Sequence, residues 1–126
     1  FLVKHLRINW TEGEKHFRNC LLDFNKANNV AQWQWVAGCG ADAAPYFRIF
    51  NPILQGEKFD KEGLYVKKWV PELSKVPSKF IHKPWEMELK YQEAIKTIIG
   101  EHYPKPIVIH EKARAAALEA FQSLKK

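Results

Sequence analysis

Apolar side chains in the first third of the chain recur at helical spacing. Residues 11–14 have the form of a capping box, and Phe17, Leu21 and Phe24 follow them. Since these three apolar residues lie three or four positions apart, they would share one face of a helix. The pattern therefore predicts an amphipathic helix over residues 11–24.

A second helix is predicted after a short turn. Asn25 can cap its N-terminus, and Gly38 and Gly40 mark its end beyond Val36. The residues from 39 to 59 then contain prolines and glycines but no sustained period, although several of them are aromatic. They are too apolar for disorder and predict a long ordered loop.

The second half of the chain predicts three further helices. Capping residues, prolines and glycines set their bounds at residues 60–69, 86–99 and 111–124. Nowhere do apolar and polar residues alternate for long enough to indicate a sheet. The predicted fold class is all-α.

Composition is that of a packed globular protein, with 46% hydrophobic and 13% aromatic residues. No stretch approaches the roughly 18 apolar residues that a membrane span needs, so no membrane association is expected. The two cysteines show neither a CxxC spacing nor a nearby pair of histidines, which predicts no metal site and no disulfide. Reduced thiols favour a cytoplasmic protein.

The net charge of +6 and a pI of about 9.3 favour an anionic partner such as nucleic acid or a membrane surface. Residues 1–83 carry +5 of this charge, whereas residues 84–126 carry only +1. The basic excess therefore lies in the aromatic-rich part of the chain. An ordinary solubilising surface would account for the same charge.

The predicted second helix carries an unusual set of side chains. Asn29 and Trp33 are four residues apart and would share a face, whereas Trp33 and Trp35 would point to nearly opposite sides. One helix could thus present an amide and an indole to one site and a second indole to another. Core packing of both tryptophans is the alternative.

A family resemblance favours the first interpretation. The segment from Asp23 to Pro52, followed by residues 55–60 and 69–73, resembles the signature of bacterial-type DNA photolyases, members of the cryptochrome/photolyase family. About fifty residues in register are far more specific than a single short motif. The resemblance implies that residues 1–126 are the C-terminal part of the FAD-binding helical domain, a partial helical bundle. It also implies light-driven repair of pyrimidine dimers by electron transfer from reduced FAD.

The resemblance implies a cofactor-related role for five residues. Asp23 and Asn25 match residues at the pyrimidine edge of the flavin ring, where an acceptor suits the ring N3–H and a donor suits its carbonyls. Asn29 matches an asparagine beside flavin N5, where it can hydrogen-bond that nitrogen when it is protonated. Trp33 matches the indole nearest the flavin in an electron-transfer chain, and Trp10 matches the next member.

The resemblance also implies contacts with ultraviolet-damaged DNA. Trp35 matches an aromatic wall of the cavity that receives the flipped dimer, and Arg48 and Lys58 match basic residues that grip flanking phosphates. The loop over residues 38–47 resembles the segment that enters the gap left by the flipped bases. Its small apolar residues 43–45 would fit a wedge.

Two other functions remain open on the residues alone. One is a cryptochrome-like blue-light photoreceptor on the same scaffold, although Asn29 and the segment 48–52 favour the repair enzyme. The other is an isolated helical module without flavin. The chain is expected to be a fragment, inactive alone, because the antenna domain and the first part of the FAD domain would precede Phe1. Its uncovered apolar faces would then favour self-association.

Overall fold

The computed structural model describes residues 1–42 and 48–124, and every regular element in them is helical. An isolated bridge between Ile99 and Tyr103 is the one strand-like pairing in these residues. The all-α prediction is confirmed. The α-helices are α1 (Trp10–Cys20), α2 (Lys26–Ala37), α3 (Pro52–Phe59), α4 (Leu64–Trp69), α5 (Leu89–Ala94) and α6 (His110–Ser123), and single 3-10 turns cover Pro71–Leu73, Ser78–Phe80 and Pro84–Glu86.

The chain forms two compact units. The first unit comprises Phe1–Ile49 and Val108–Lys126, and the second comprises Phe50–Ile107. In the first unit α1 packs on α2, and His5 hydrogen-bonds His110 at the start of α6, with Nε2 and Nδ1 2.9 Å apart. The second unit has its own apolar core, formed by Leu73, Val76, Ile81, Met87 and Ile99.

Helix α1 starts earlier and ends earlier than predicted. Asn9 caps it, because its Oδ1 accepts the backbone N–H of Thr11 at 3.0 Å. The predicted capping box does not form, since the Glu14 side chain is directed to α2 and to Arg18 instead. The helix ends at Cys20, and the next residue is already extended.

Helix α2 matches its prediction closely. The Oδ1 of Asn25 accepts the backbone N–H of Asn28 at 3.0 Å, as expected for an N-cap. At the other end Gly38 has a φ of 78°, a left-handed conformation that glycine adopts without strain. The cap fixes the start of α2 and therefore the faces on which its amides and indoles lie.

Helix α3 is a correction to the predicted loop over residues 39–59. Asn51 caps it by accepting the backbone N–H groups of Ile53 and Leu54, and Pro52 takes the first position, where its missing donor costs nothing. Gly56 lies inside the helix, and a Cβ there would come within 2.3 Å of the His82 ring. The proline and glycine that indicated a loop therefore start a helix and allow its close packing.

Asp60 organises the start of α4, which is shorter than the predicted helix over residues 60–69. Its two carboxylate oxygens accept the backbone N–H groups of Tyr65 and Val66 at 3.1 and 3.2 Å. Desolvation acts to raise the pKa of this carboxylate, but the backbone donors outweigh it and hold the pKa of Asp60 below its ordinary value. Asp60 thus works as a cap from outside the helix.

The helix predicted over residues 86–99 is largely absent. Only α5 and the preceding 3-10 turn are helical, and Lys96 has a φ of 55°. The reason is the buried side chain of Gln92, which donates to Met87 O at 2.7 Å and accepts from Ile99 N at 2.9 Å. By contrast, the last helix agrees with its prediction to within one residue at each end.

Candidate functional site

The indole of Trp33 on α2 packs against Gly13 on α1. A Cβ at Gly13 would lie only 2.2–2.6 Å from Cη2, Cζ3 and Cζ2, the atoms at the far edge of the ring. Phe17, one turn further along α1, meets the same indole edge-on, with ring centroids 5.1 Å apart. Glycine at this position therefore lets the indole lie directly against the backbone of α1.

Beside this contact the first unit contains a cavity of about 490 Å³. Its volume lies within the range of small-molecule sites. Phe1, Phe17 and Trp33 supply the aromatic part of its wall. The other apolar residues are Leu2, Val3, Leu21 and Val36, and the polar ones are Asp23, Asn25, Asn28, Asn29 and Gln32. We call this the α1–α2 cavity.

Four residues singled out from the sequence line the α1–α2 cavity together: Asp23, Asn25, Asn29 and Trp33. Their polar groups differ in what they can offer. The exposed carboxylate of Asp23 can only accept hydrogen bonds when it is ionised. The Oδ1 of Asn25 is engaged in capping α2, so its amide nitrogen remains to act as a donor.

Sequence reasoning did not assign the other lining residues to a site, and among them are Phe17, Asn28 and Gln32. The two polar ones extend the face of α2 that carries Asn29, because Gln32 stands three positions after Asn29 and Asn28 stands four positions before Gln32. Helical spacing could therefore have found them. Phe17 belongs to the apolar face that predicts α1, and that pattern does not by itself indicate a ligand site.

Asn29 is 8% exposed and its amide is held from α1. The Nδ2 atom donates to the backbone oxygen of Glu14 at 3.0 Å and to its Oε1 at 3.3 Å. Glu14 is itself paired with Arg18 one turn further along α1. Neither Glu14 nor Arg18 was predicted to belong to the site, since no local sequence signal couples residue 14 to residue 29.

Trp10 lies outside the α1–α2 cavity and borders a second cavity of about 580 Å³ in the first unit. On α1 it stands three residues before Gly13, hence on the same face and about one turn from the edge of Trp33. Trp10 and the residue on which Trp33 packs are therefore neighbours on one face of α1.

The three residues predicted to contact DNA are all exposed. Trp35 is 41% exposed and does not line the α1–α2 cavity, in agreement with its predicted direction away from Trp33. The backbone oxygen of Arg48 accepts a hydrogen bond from Lys4. Lys58 lies in the last turn of α3 with its Nζ 5.1 Å from the centroid of the Phe59 ring. The predicted wedge of Ala43, Ala44 and Pro45 lies outside the described residues.

Residues 1–42 and 48–124 contain neither a metal-ligand cluster nor a membrane-spanning helix. In this part of the chain no three histidine, cysteine or acidic side chains come together as metal ligands would. Nor does it contain a helix whose length and apolar character would suffice to cross a bilayer.

Comparison with known proteins identifies the family of this chain. Residues 1–123 match a family model described as the FAD binding domain of DNA photolyase. A deoxyribodipyrimidine photo-lyase of Agrobacterium fabrum is 56% identical over all 126 residues, which cover 26% of that relative. The chain spans about a quarter of the length of the curated relatives it matches.

Solved structures give the same picture. The crystal structure of a bacterial class III photolyase from Agrobacterium tumefaciens superposes with a TM-score of 0.91 at 56% identity, covering 99% of this chain and 26% of the other. A cryptochrome from Synechocystis superposes with a TM-score of 0.87 at 35% identity, covering 94% of this chain and 24% of the other. The helical arrangement is therefore shared by a photolyase and a cryptochrome.

Proposed function

The chain belongs to the DNA photolyase family, and from this membership we propose that residues 1–126 are the C-terminal part of a photolyase FAD-binding helical domain. The antenna domain and the first part of the FAD domain would be supplied by the rest of the protein. In this proposal the α1–α2 cavity receives the ring end of FAD. The observation that carries it is the convergence of Asp23, Asn25, Asn29 and Trp33 on one cavity.

The residues of the cavity suit a flavin ring, which is flat, largely apolar over its faces and polar along one edge. Phe17 and Trp33 provide aromatic surface, and the carboxylate and amides provide acceptors and donors at the rim. Asp23 would accept from the ring N3–H, and the free amide nitrogen of Asn25 would donate to a ring carbonyl. Asn29 would face N5.

For the full-length protein we propose light-driven repair of pyrimidine dimers in ultraviolet-damaged DNA. When bound and reduced, FAD would supply the light-driven electron transfer that splits the dimer, and the electron would return to it afterwards. The side chains of this chain would position the cofactor and tune its redox properties. Trp10 on α1, and Trp33 on α2, which packs on Gly13 one turn from Trp10, would relay electrons inward to keep the cofactor reduced.

The activity test uses full-length protein loaded with FAD and an oligonucleotide that contains a cyclobutane dimer. Repair under blue light but not in darkness is expected. Because the fold is shared with a cryptochrome, photoreduction of the flavin without any repair would instead support the photoreceptor. A folded full-length protein without flavin absorbance would favour the helical module that lacks the cofactor.

Contacts with DNA backbone are proposed for Arg48 and Lys58. Changing either to alanine should weaken binding to damaged and undamaged duplex alike. The slope of log affinity against log salt concentration should lose about one in magnitude per contact. Titrations at several salt concentrations measure this, with Lys112→Ala on α6 as the matched loss of an exposed lysine. An unchanged slope in both variants would contradict the phosphate contacts.

For the isolated 126-residue chain we propose weak flavin binding and self-association. Several large apolar side chains are more than half exposed, among them Phe59, Leu64 and Trp69, and such surfaces usually find a partner. Sizing and light scattering should therefore show species larger than the monomer, with little absorbance in the flavin bands. A strictly monomeric chain at high concentration, or stoichiometric flavin, would contradict the proposal.

A further inference from the structure

We infer that Arg18 is a positioning residue for the α1–α2 cavity. Through the buried carboxylate of Glu14, it holds the side-chain amide of Asn29 with its oxygen toward the cavity. The inference rests on the proposed function, because it specifies which hydrogen-bonding group the site offers to the flavin. It adds a residue that lies outside the cavity lining and was not among the predicted site residues.

The orientation of the Asn29 amide is set by two oxygens of Glu14. Nδ2 donates to the backbone oxygen at 3.0 Å and to Oε1 at 3.3 Å. If the amide were turned over, its Oδ1 would meet both oxygens with no hydrogen atom between them. The arrangement therefore directs the amide nitrogen toward α1.

The group that Asn29 leaves for a ligand is consequently Oδ1. Within residues 1–42 and 48–124, Oδ1 has no hydrogen-bond partner. Oδ1 is also accessible to solvent. Among these residues the one fully buried side-chain polar atom without a partner is His5 Nδ1, so an unpartnered Oδ1 cannot be fully buried. Since Asn29 lines the α1–α2 cavity, the cavity offers an acceptor at this position.

Arg18 differs from an ordinary surface partner in a helix ion pair, because its partner is buried. The Glu14 side chain is 6% exposed, whereas that of Arg18 is 50% exposed. Nε of Arg18 donates to Oε1 at 3.2 Å, and Nη2 donates to Oε2. Among the described residues, Asn29 and Arg18 are the donors to this carboxylate.

A buried carboxylate that loses its cation would turn toward water, because nothing then offsets the cost of burying its charge. This movement would release the Asn29 amide, since it removes one of the two acceptors of Nδ2. Arg18 therefore acts on the cavity through Glu14, without touching a ligand itself.

The consequence for a flavin concerns its ring N5. An acceptor oxygen favours the reduced ring, in which this nitrogen carries a hydrogen, whereas an amide N–H would favour the oxidised ring. Removing Arg18 should weaken that preference. We expect about a three- to tenfold loss in the affinity for reduced over oxidised flavin, or roughly 30–60 mV for a one-electron step.

The first measurement needs no flavin. Full-length protein is labelled with ¹⁵N-asparagine, and Asn29→Ser identifies the Asn29 side-chain signals. In Arg18→Met, hydrogen exchange at Nδ2 should become at least about tenfold faster than in the unmodified protein. Arg18→Lys keeps the positive charge and should restore much of the protection, and Arg114→Met on α6 is the matched control that should change nothing.

The second measurement is the midpoint potential of bound FAD in the same four proteins. A lower potential in Arg18→Met, partly restored in Arg18→Lys, is the expected result. Unchanged exchange at Asn29 in Arg18→Met would overturn the inference. Faster exchange with an unchanged midpoint potential would overturn it as well, since the orientation of the Asn29 amide would then have no effect on the flavin. If the full-length protein bound no flavin but still showed faster exchange in Arg18→Met, the proposed function would be wrong. The role of Arg18 in positioning the Asn29 amide would still hold.

Discussion

Replacement of Trp33 by phenylalanine in the full-length, FAD-loaded protein is expected to stop light-driven reduction of the oxidised flavin. The indole lines the α1–α2 cavity and lies against α1 about one turn from Trp10. A phenyl ring is much harder to oxidise than an indole. Because a barrier rise of only ~3 kcal/mol slows a step by about 100-fold, we expect photoreduction to slow by at least that factor.

Repair by enzyme that has been reduced chemically beforehand should survive the same substitution. In our proposal Trp33 relays electrons to the flavin and does not contact the dimer. Absorbance under blue light with an external donor measures photoreduction, and dimer cleavage by pre-reduced enzyme measures repair. Trp69→Phe, at an exposed tryptophan on α4, is the matched control.

Trp33 also packs on Gly13 and Phe17, so its loss has a structural cost. A smaller ring would leave a void against α1, and we expect the free energy of unfolding to fall by about 1–3 kcal/mol. Flavin content per protein shows whether the site survives. If photoreduction and repair fell together in a variant that keeps its flavin, Trp33 would be mainly structural and the relay proposal would be wrong.

Local signals explain why α2 could be predicted from the sequence. Asn25 caps the helix and Gly38 ends it. Both act through contacts with residues close to them in the sequence, so both can be recognised without knowledge of the fold. The same signals failed at α3. Pro52 and Gly56 resemble loop residues, but one starts a helix and the other makes room for His82, which lies 26 residues away.

In the candidate site, too, some features follow from local sequence signals and others depend on how the helices pack. Helical spacing places Asn29 and Trp33 on one face, and both line the α1–α2 cavity. The amide's orientation depends on Glu14, whose role at position 14 follows only once α1 packs on α2. Similarly, position 13 requires glycine because the indole of Trp33 packs against its backbone. Side-chain identity was available from the chain, whereas side-chain orientation required the packing of two helices.

Trp35 provides the second large effect, and it separates lesion recognition from general DNA binding. It is two residues from Trp33 on α2, it is 41% exposed, and it does not line the α1–α2 cavity. We propose that its ring meets only the flipped dimer. Trp35→Ala should therefore weaken binding to damaged duplex by roughly 1–3 kcal/mol, typical of a base stacked on an aromatic side chain. This corresponds to about 5- to 150-fold at 25 °C.

Binding to undamaged duplex should be nearly unaffected by Trp35→Ala, because phosphate contacts carry it. Affinities for matched duplexes with and without one dimer, measured on full-length protein with flavin bound, give the ratio that matters. Trp85→Ala is a suitable control, since Trp85 is 38% exposed and lies in the second unit. If Trp35→Ala left the ratio of damaged to undamaged affinity unchanged in flavin-loaded protein, Trp35 would not belong to the lesion cavity. Its exposed ring would then need another partner, such as a segment of the full-length protein that packs on α2.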